Sequence, residues 1–293
     1  AAVGAGFFSQ RMNQLTCNAR YMDEVERVLY NNVLTGVSLS GDKYTYQNPL
    51  NTDKPDRWEW HVCPCCPPMF LKIMAAMPGY IYAYQGDNVY VNLFIGSEVR
   101  IPVGDNSVRL KQLTSYPWHG AVSIQVNPDK ASTFSMKVRI PGWAQGTENP
   151  YDLYQSNLKA PVKLKVNQED VLLRIVDGYA EINREWKKGD HIELELPMQP
   201  RLITANKAVE NLRGQVALAS GPIIYCFEDA DNPELQTFKL QAQTPLELSH
   251  DSNLLNGVNI IKCQGDIPAK AIPYYAVANR EESHSYKVWI PQK

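Results

Sequence analysis

The hydrophobic period changes once along this chain, near Tyr80, and that change decides which folds remain open to it. Before Tyr80 the apolar residues recur three and four apart; after it they alternate. Val3, Phe7, Met12 and Leu15 mark a first helix, which Asn18-Ala19-Arg20 breaks. Met22, Val25, Leu29 and Val33 mark a second, over about residues 21–34. A third should start at Pro67 or Pro68, because proline suits a first turn whose N–H groups have no intrahelical partner. It continues through Met69, Phe70, Leu71, Ile73 and Met74, and Pro78-Gly79 should stop it. Two amphipathic helices and a short third cannot close a core by themselves, so they need partners, either upstream residues or the β-rich residues beyond Tyr80.

From Tyr80 the segments Tyr80-Ile81-Tyr82, 89–95, 107–110, 122–126, 134–140 and 192–196 read as strands. Turns at Gly86-Asp87-Asn88, Gly104-Asp105-Asn106 and Lys188-Gly189-Asp190 punctuate them. Many short strands without intervening helices predict an antiparallel sandwich. From about residue 200 the pattern mixes a short helix over 205–212 with strands at 216–218 and 223–227, which suggests a second, smaller sandwich. The expected organisation is therefore a helical part over 1–84, a β-sandwich over 85–200 and a smaller sandwich over 201–293. A chain of 293 residues is long enough to bury such a core.

A formal charge of −2 with scattered lysine and arginine argues against a nucleic-acid groove or an anionic membrane surface as partner. No apolar run reaches the roughly 18 residues of a spanning helix. The opening Ala1-Ala2-Val3-Gly4-Ala5-Gly6-Phe7-Phe8 has neither initiator methionine nor basic n-region. It reads as the middle of an amphipathic helix rather than as a signal peptide, and the compartment stays open between periplasm and cytoplasm.

Half of the six cysteines fall within four positions, in His61-Val62-Cys63-Pro64-Cys65-Cys66-Pro67-Pro68. Six cysteines in this length are too few for a disulfide framework, and neighbours such as Cys65 and Cys66 pair only as a strained ring. Cys17, Cys226 and Cys263 read as isolated thiols. The cluster sits at the expected N-terminus of the third helix, where the dipole favours thiolate over thiol. Three thiols there suggest a metal site, an activated nucleophile, or both.

Taken together, several segments resemble the DUF1680 group of bacterial glycoside hydrolases, family 127 and its relatives, whose founding activity is β-L-arabinofuranosidase. They are Gln10-Arg11-Met12, Glu26-Arg27-Val28-Leu29-Tyr30-Asn31, Tyr44-Thr45-Tyr46-Gln47-Asn48-Pro49-Leu50, the cysteine cluster, Tyr80-Ile81-Tyr82, Val91-Asn92-Leu93, Arg184-Glu185-Trp186-Lys187-Lys188-Gly189-Asp190 and Gly221-Pro222-Ile223-Ile224-Tyr225. The resemblance implies the C-terminal helices of an (α/α)6 barrel followed by antiparallel β-sandwich domains, an α+β multidomain chain. It implies Zn²⁺ held by three cysteines and a glutamate, one cysteine being the nucleophile. By motif position Cys65 matches the nucleophile and a zinc ligand, and Cys66 a second ligand. Cys63 belongs to the same motif and makes the candidate metal set Cys63, Cys65 and Cys66. The remaining ligands, in a Glu-x-Cys element, and the acid/base glutamate would lie upstream of Ala1. The implied partner is an oligosaccharide or plant-type glycan, and a homodimer is possible for such a chain.

The chemistry has its own logic. A thiolate attacks an anomeric carbon well, but the thioglycoside it forms is slow to hydrolyse, so the sulfur must also be a good leaving group. Zinc serves both needs, since it deprotonates a coordinated thiol outright and thiolates suit it. Two or three cysteines do not complete its four-ligand shell, so a remote ligand is required. Tyr46 is a candidate for a hydrogen bond to the nucleophile or the sugar. Trp58 and Trp60 offer faces for stacking or simply plug the loop; His61 and Glu59 are weaker ligand candidates. His119, His191, His250 and His284 form no ligand spacing. Two plainer readings stay open, a zinc site that only pins the helices and a carbohydrate-binding module without catalysis.

Overall fold

The fold, taken from a computed structural model, describes residues 1–60, 62–63, 65–265 and 267–293, and of Pro150 the backbone alone. His61 and Pro64, named above in the cysteine motif, therefore lie outside the described residues. Helix α1 spans Ala2–Thr16 and ends on Cys17 in the left-handed conformation. Helix α2 spans Arg20–Val28 and continues as a π turn over Leu29–Val33 and a 3₁₀ turn over Leu34–Gly36. Helix α3 spans Pro67–Ala76, with Pro67 and Pro68 in its first turn.

Two expectations fail at the period change. Pro78-Gly79 does not end the helical region: Pro78 opens one more turn, α4, over Pro78–Ile81, because proline is as suited to a first turn as to a stop. Tyr80 and Ile81 are therefore helical, and the first strand of the sheet region is Tyr82–Gln85. Helix α1 packs Val3 and Phe7 of the marked stripe half-buried against the core, but its most deeply buried residues are small or polar. Gly6, Ser9, Gln10 and Asn13 are buried, while Phe8 and Leu15 are 63% and 79% exposed. Gly6 permits close approach, since a Cβ there would stand 3.2 Å from the Ile73 Cδ1 of α3. Buried Asn13 is satisfied by donating to Asn18 O at 3.0 Å and Tyr179 Oη at 2.9 Å.

Behind the helices a six-stranded sheet faces a five-stranded one. The first runs Glu169–Asp170, Lys163–Val166, Asp190–Glu195, Ala121–Pro128, Asn106–Thr114, Ser97–Val103. The second runs Ile175–Val176, Tyr179–Trp186, Ser132–Arg139, Asn88–Val91, Tyr82–Gln85. Alternation places Val108, Leu110, Val122, Ile124 and Val126 of one against Met136, Val138, Ile182 and Val89 of the other. Each such fully buried aliphatic contributes roughly 1.5–3 kcal/mol. One pair departs from the antiparallel expectation, since Asn88–Val91 runs parallel to Ser132–Arg139.

Apart from one two-stranded ribbon, the remaining strands form a single ten-stranded sheet. Its main path starts at Tyr154–Ser156, passes through Arg201–Ala205, Gln215–Ser220 and Ile223–Glu228, and ends on Leu246–Asp251. Asn51–Thr52, from the helical part, pairs with Tyr286–Lys287 and so joins this sheet. The helix expected over 205–212 is only a 3₁₀ turn at Glu210–Leu212, preceded by extended residues of the strand Arg201–Ala205. The π turn after α2 docks on this sheet through Asn31, which donates to Pro222 O at 2.8 Å and accepts from Ile224 N–H at 2.7 Å.

Candidate active site

The cysteines hang between a small β-ribbon and the start of α3. The ribbon pairs Lys43–Tyr44 with Trp58–Glu59. Its inward residue, Tyr44, is buried and meets Trp58 and Trp60 edge-on, with ring centroids 6.2 and 6.4 Å away. The Tyr44 hydroxyl donates to Cys63 O at 3.3 Å and so ties the ribbon to the cysteine segment. Burial and the neighbouring Cys63 push the Tyr44 phenol up to about 12, which keeps it a donor at any ordinary pH. Arg57 anchors the ribbon from behind, donating to Thr35 O, Val277 O and Ala278 O at 3.2, 2.8 and 3.0 Å.

Cys66 is the N-cap residue of α3. The Sγ atoms of Cys63 and Cys65 are 3.3 Å apart, those of Cys65 and Cys66 3.6 Å, and all three lie within 4.8 Å of one another. Two sulfurs bound to one zinc at about 2.3 Å in a tetrahedral shell are roughly 3.8 Å apart, so both the donor chemistry and the spacing fit Zn²⁺. Among the described residues no histidine or carboxylate joins the group, Glu59 included; His61 lies outside them. Cys17 is distant in the fold, beside Gln85, and Cys226 and Cys263 are buried in the C-terminal sheet.

The helix end by itself suggests thiolates throughout the cluster, yet Cys63 and Cys65 are shifted in opposite directions. The hydrogen bond with Cys65 holds the Cys63 thiol below its usual range. Cys65, hydrogen-bonded to Cys63 and Cys66, is pushed up to about 11. A second negative charge at this distance is repelled by the first, and a divalent cation reverses that balance.

Cys65 and Cys66 open into a depression of ≈ 370 Å³, whose lining includes Tyr44, Tyr46, Asn48 and Phe70. Asn48 Oδ1 is buried there without a hydrogen-bond partner among the described residues. Tyr46 lies on the rim, 48% exposed and stacked on Trp58 at 5.0 Å with planes 6° apart. Among the described residues, the tyrosine that reaches the cysteine segment is Tyr44. Sequence reasoning missed Tyr44, Asn48 and Arg57. Tyr44 and Tyr46 have the same spacing parity, and only the ribbon, which ends at Tyr44, separates them.

Residues 1–79 match the catalytic-domain profile of beta-L-arabinofuranosidase GH127, residues 88–198 its middle domain, and residues 200–291 the glycoside hydrolase family 127 C-terminal domain. A curated non-reducing end beta-L-arabinofuranosidase from Bifidobacterium longum subsp. longum is 29% identical, over 96% of this chain and 47% of its own length. A solved GH127 beta-arabinofuranosidase superimposes with a TM-score of 0.92 at 34% identity, over 100% of this chain and 49% of the other. A GH127 beta-L-arabinofuranosidase from Geobacillus stearothermophilus T6 gives 0.90 at 33%, over 99% and 49%. The chain thus spans about half the length of these relatives. With three successive domains of one family matched in order along nearly its whole length, the chain belongs to glycoside hydrolase family 127.

Proposed function

We propose that the protein is a retaining glycoside hydrolase that releases terminal β-L-arabinofuranose, or a closely similar sugar, from plant-type glycans. The observation that carries this reading is the opening of Cys65 and Cys66, within a gathered set of three thiols, onto a sugar-sized depression. The arabinofuranosidase relatives supply the substrate class. The exposed apolar side chains Phe8 and Leu15 on α1 and Leu71 on α3 suit helices that belong to a larger (α/α)6 barrel.

Cys65 is the nucleophile. Its Sγ bonds to the anomeric carbon as the bond from that carbon to the glycosidic oxygen breaks, and the departing oxygen takes a proton. Water then attacks the same carbon and Sγ leaves, so configuration is retained over the two displacements. Among the described residues, those lining the depression include no carboxylate, so the proton comes from an acid/base group outside that lining. Cys63, Cys65 and Cys66 would hold the zinc ion, which supplies thiolate character on attack and a stabilised leaving sulfur on release. Asn48 Oδ1 is an acceptor available to a sugar hydroxyl, and Tyr44 steadies the cysteine segment through Cys63 O.

The test is to trap a glycosyl adduct on the whole protein with a slow β-L-arabinofuranoside and map it by mass spectrometry. The adduct is expected on Cys65. Cys65→Ser should lower kcat by about 10³ or more, roughly 4 kcal/mol of transition-state stabilisation. An active protein with no adduct on Cys65 would sink the assignment.

A further inference from the structure

A second depression, of ≈ 330 Å³, adjoins the one at the cysteines and shares Thr45 and Tyr46 with it. Its volume lies within the range of small-ligand sites, about 300–1,000 Å³. The two hollows share the rim residue Tyr46, which places the second next to the one that holds Cys65. There the stacked Tyr46 and Trp58 make a flat aromatic surface, and Tyr46 stays 48% exposed despite the stack. Sugar rings present C–H faces that pack on aromatic rings while their hydroxyls seek polar partners at the edge.

The edge supplies those partners. Lys54 and Asp56 line the same hollow, and their opposite charges suit a neutral ligand. Asp56 also accepts the Trp58 indole N–H, which fixes the ring. The opposite wall comes from the C-terminal part, at Val277 and Ala278, whose carbonyls are gripped by Arg57. The platform is therefore held before any ligand arrives, which limits the ordering cost of binding.

We propose that this second depression binds the sugar residue on the leaving-group side of the scissile bond, with Tyr46 and Trp58 as its stacking platform. The proposal rests on the glycosidase reading above and adds which side chains hold the second sugar.

The experiment compares two probes on the whole protein, methyl β-L-arabinofuranoside and a β-L-arabinofuranosyl-L-arabinose disaccharide. For Trp58→Ala the ratio of kcat/KM, disaccharide over methyl glycoside, should fall about tenfold, mainly through KM, as the loss of one aromatic contact implies. Trp58→Phe, which keeps a ring, should hold the ratio within about threefold. On Cys65→Ser protein, saturation-transfer NMR should show contacts to the second sugar that Trp58→Ala loses. An active parent whose ratio and NMR contacts are the same in Trp58→Ala overturns the subsite alone. A parent that neither binds nor cleaves either probe overturns the glycosidase reading, and the subsite with it.

Discussion

Asp23 and Glu26, one turn apart on α2, converge on a single guanidinium from the sandwich. Arg139 is fully buried, and its Nη1 donates to Asp23 Oδ1 at 2.6 Å and its Nη2 to Glu26 Oε1 at 2.5 Å. Asp23 Oδ2 also accepts from Gly142 N–H at 3.2 Å. Two carboxylates around one cation leave an excess negative charge in a dry place. Burial pushes the Asp23 carboxyl up to about 6, against the pull of Arg139 and with a further push from Glu26. An acid whose folded value lies above its unfolded one, near 3.8, binds its proton more tightly when folded. Its contribution to stability is complete below about pH 4 and is lost as pH rises through about 6. Asp23→Asn does not titrate, so its stability relative to the parent should rise between pH 4 and pH 7. The gain should be about 1–2 kcal/mol, less than the full shift implies because the side chain is 20% exposed. Thermal denaturation of both proteins across that range reads the difference directly, and a pH-independent gap would show that Asp23 is charged throughout.

At the scale of elements, the ribbon that carries Tyr44 and Trp58, with Tyr46 just beyond its end, is two residues deep on each side and has little intrinsic stability. Arg57 holds it by filling three backbone acceptors, Thr35 O, Val277 O and Ala278 O. Arg57→Met removes a charged donor from all three, and should cost about 2–4 kcal/mol. Hydrogen exchange should then quicken over residues 43–60 while the sheets at 97–139 stay protected; uniform quickening would mean that the clip is global rather than local. The same contrast between local and remote forces governs what the sequence makes legible. The cysteine cluster is legible because its members are adjacent in sequence, and the strands of 106–139 because one face of each is buried. The parallel pairing of Asn88–Val91 with Ser132–Arg139 is not, since side chains alternate identically in either direction. Nor is the deep burial of Gly6 and Asn13 on α1, which follows from a close approach and from distant partners such as Tyr179. Arg57 gives no signal because its three acceptors come from segments far apart in the chain.

Over the whole molecule, the three stretches matched by separate family domains are not packed as separate bodies. One continuous apolar cluster includes Met22 and Val25 of α2, Leu110 and Val138 of the facing sheets, and Leu218 and Tyr225 of the ten-stranded sheet. Buried ion pairs cross the same seams. Arg201 grips Glu148 through both carboxylate oxygens at 2.6 and 2.9 Å and donates to Gly221 O at 2.8 Å, while Arg27 of α2 donates to Glu148 O. Arg139 completes the circuit, since it joins α2 to the sandwich and also donates to Asn92 O at 2.5 Å. A substrate platform whose walls come from the ribbon and from Val277 and Ala278 needs this rigidity, because relative movement of the parts would open the second hollow. The expectation is therefore one cooperative unfolding transition, in which tryptophan fluorescence and far-UV circular dichroism coincide. Arg139→Met leaves Glu26 buried without its cation and should cost about 3–5 kcal/mol. Its denaturant midpoint should fall equally by both probes. If the dichroism of the sheets held its midpoint while the fluorescence moved, the sandwich would be an independent body, and the second hollow would owe none of its rigidity to it.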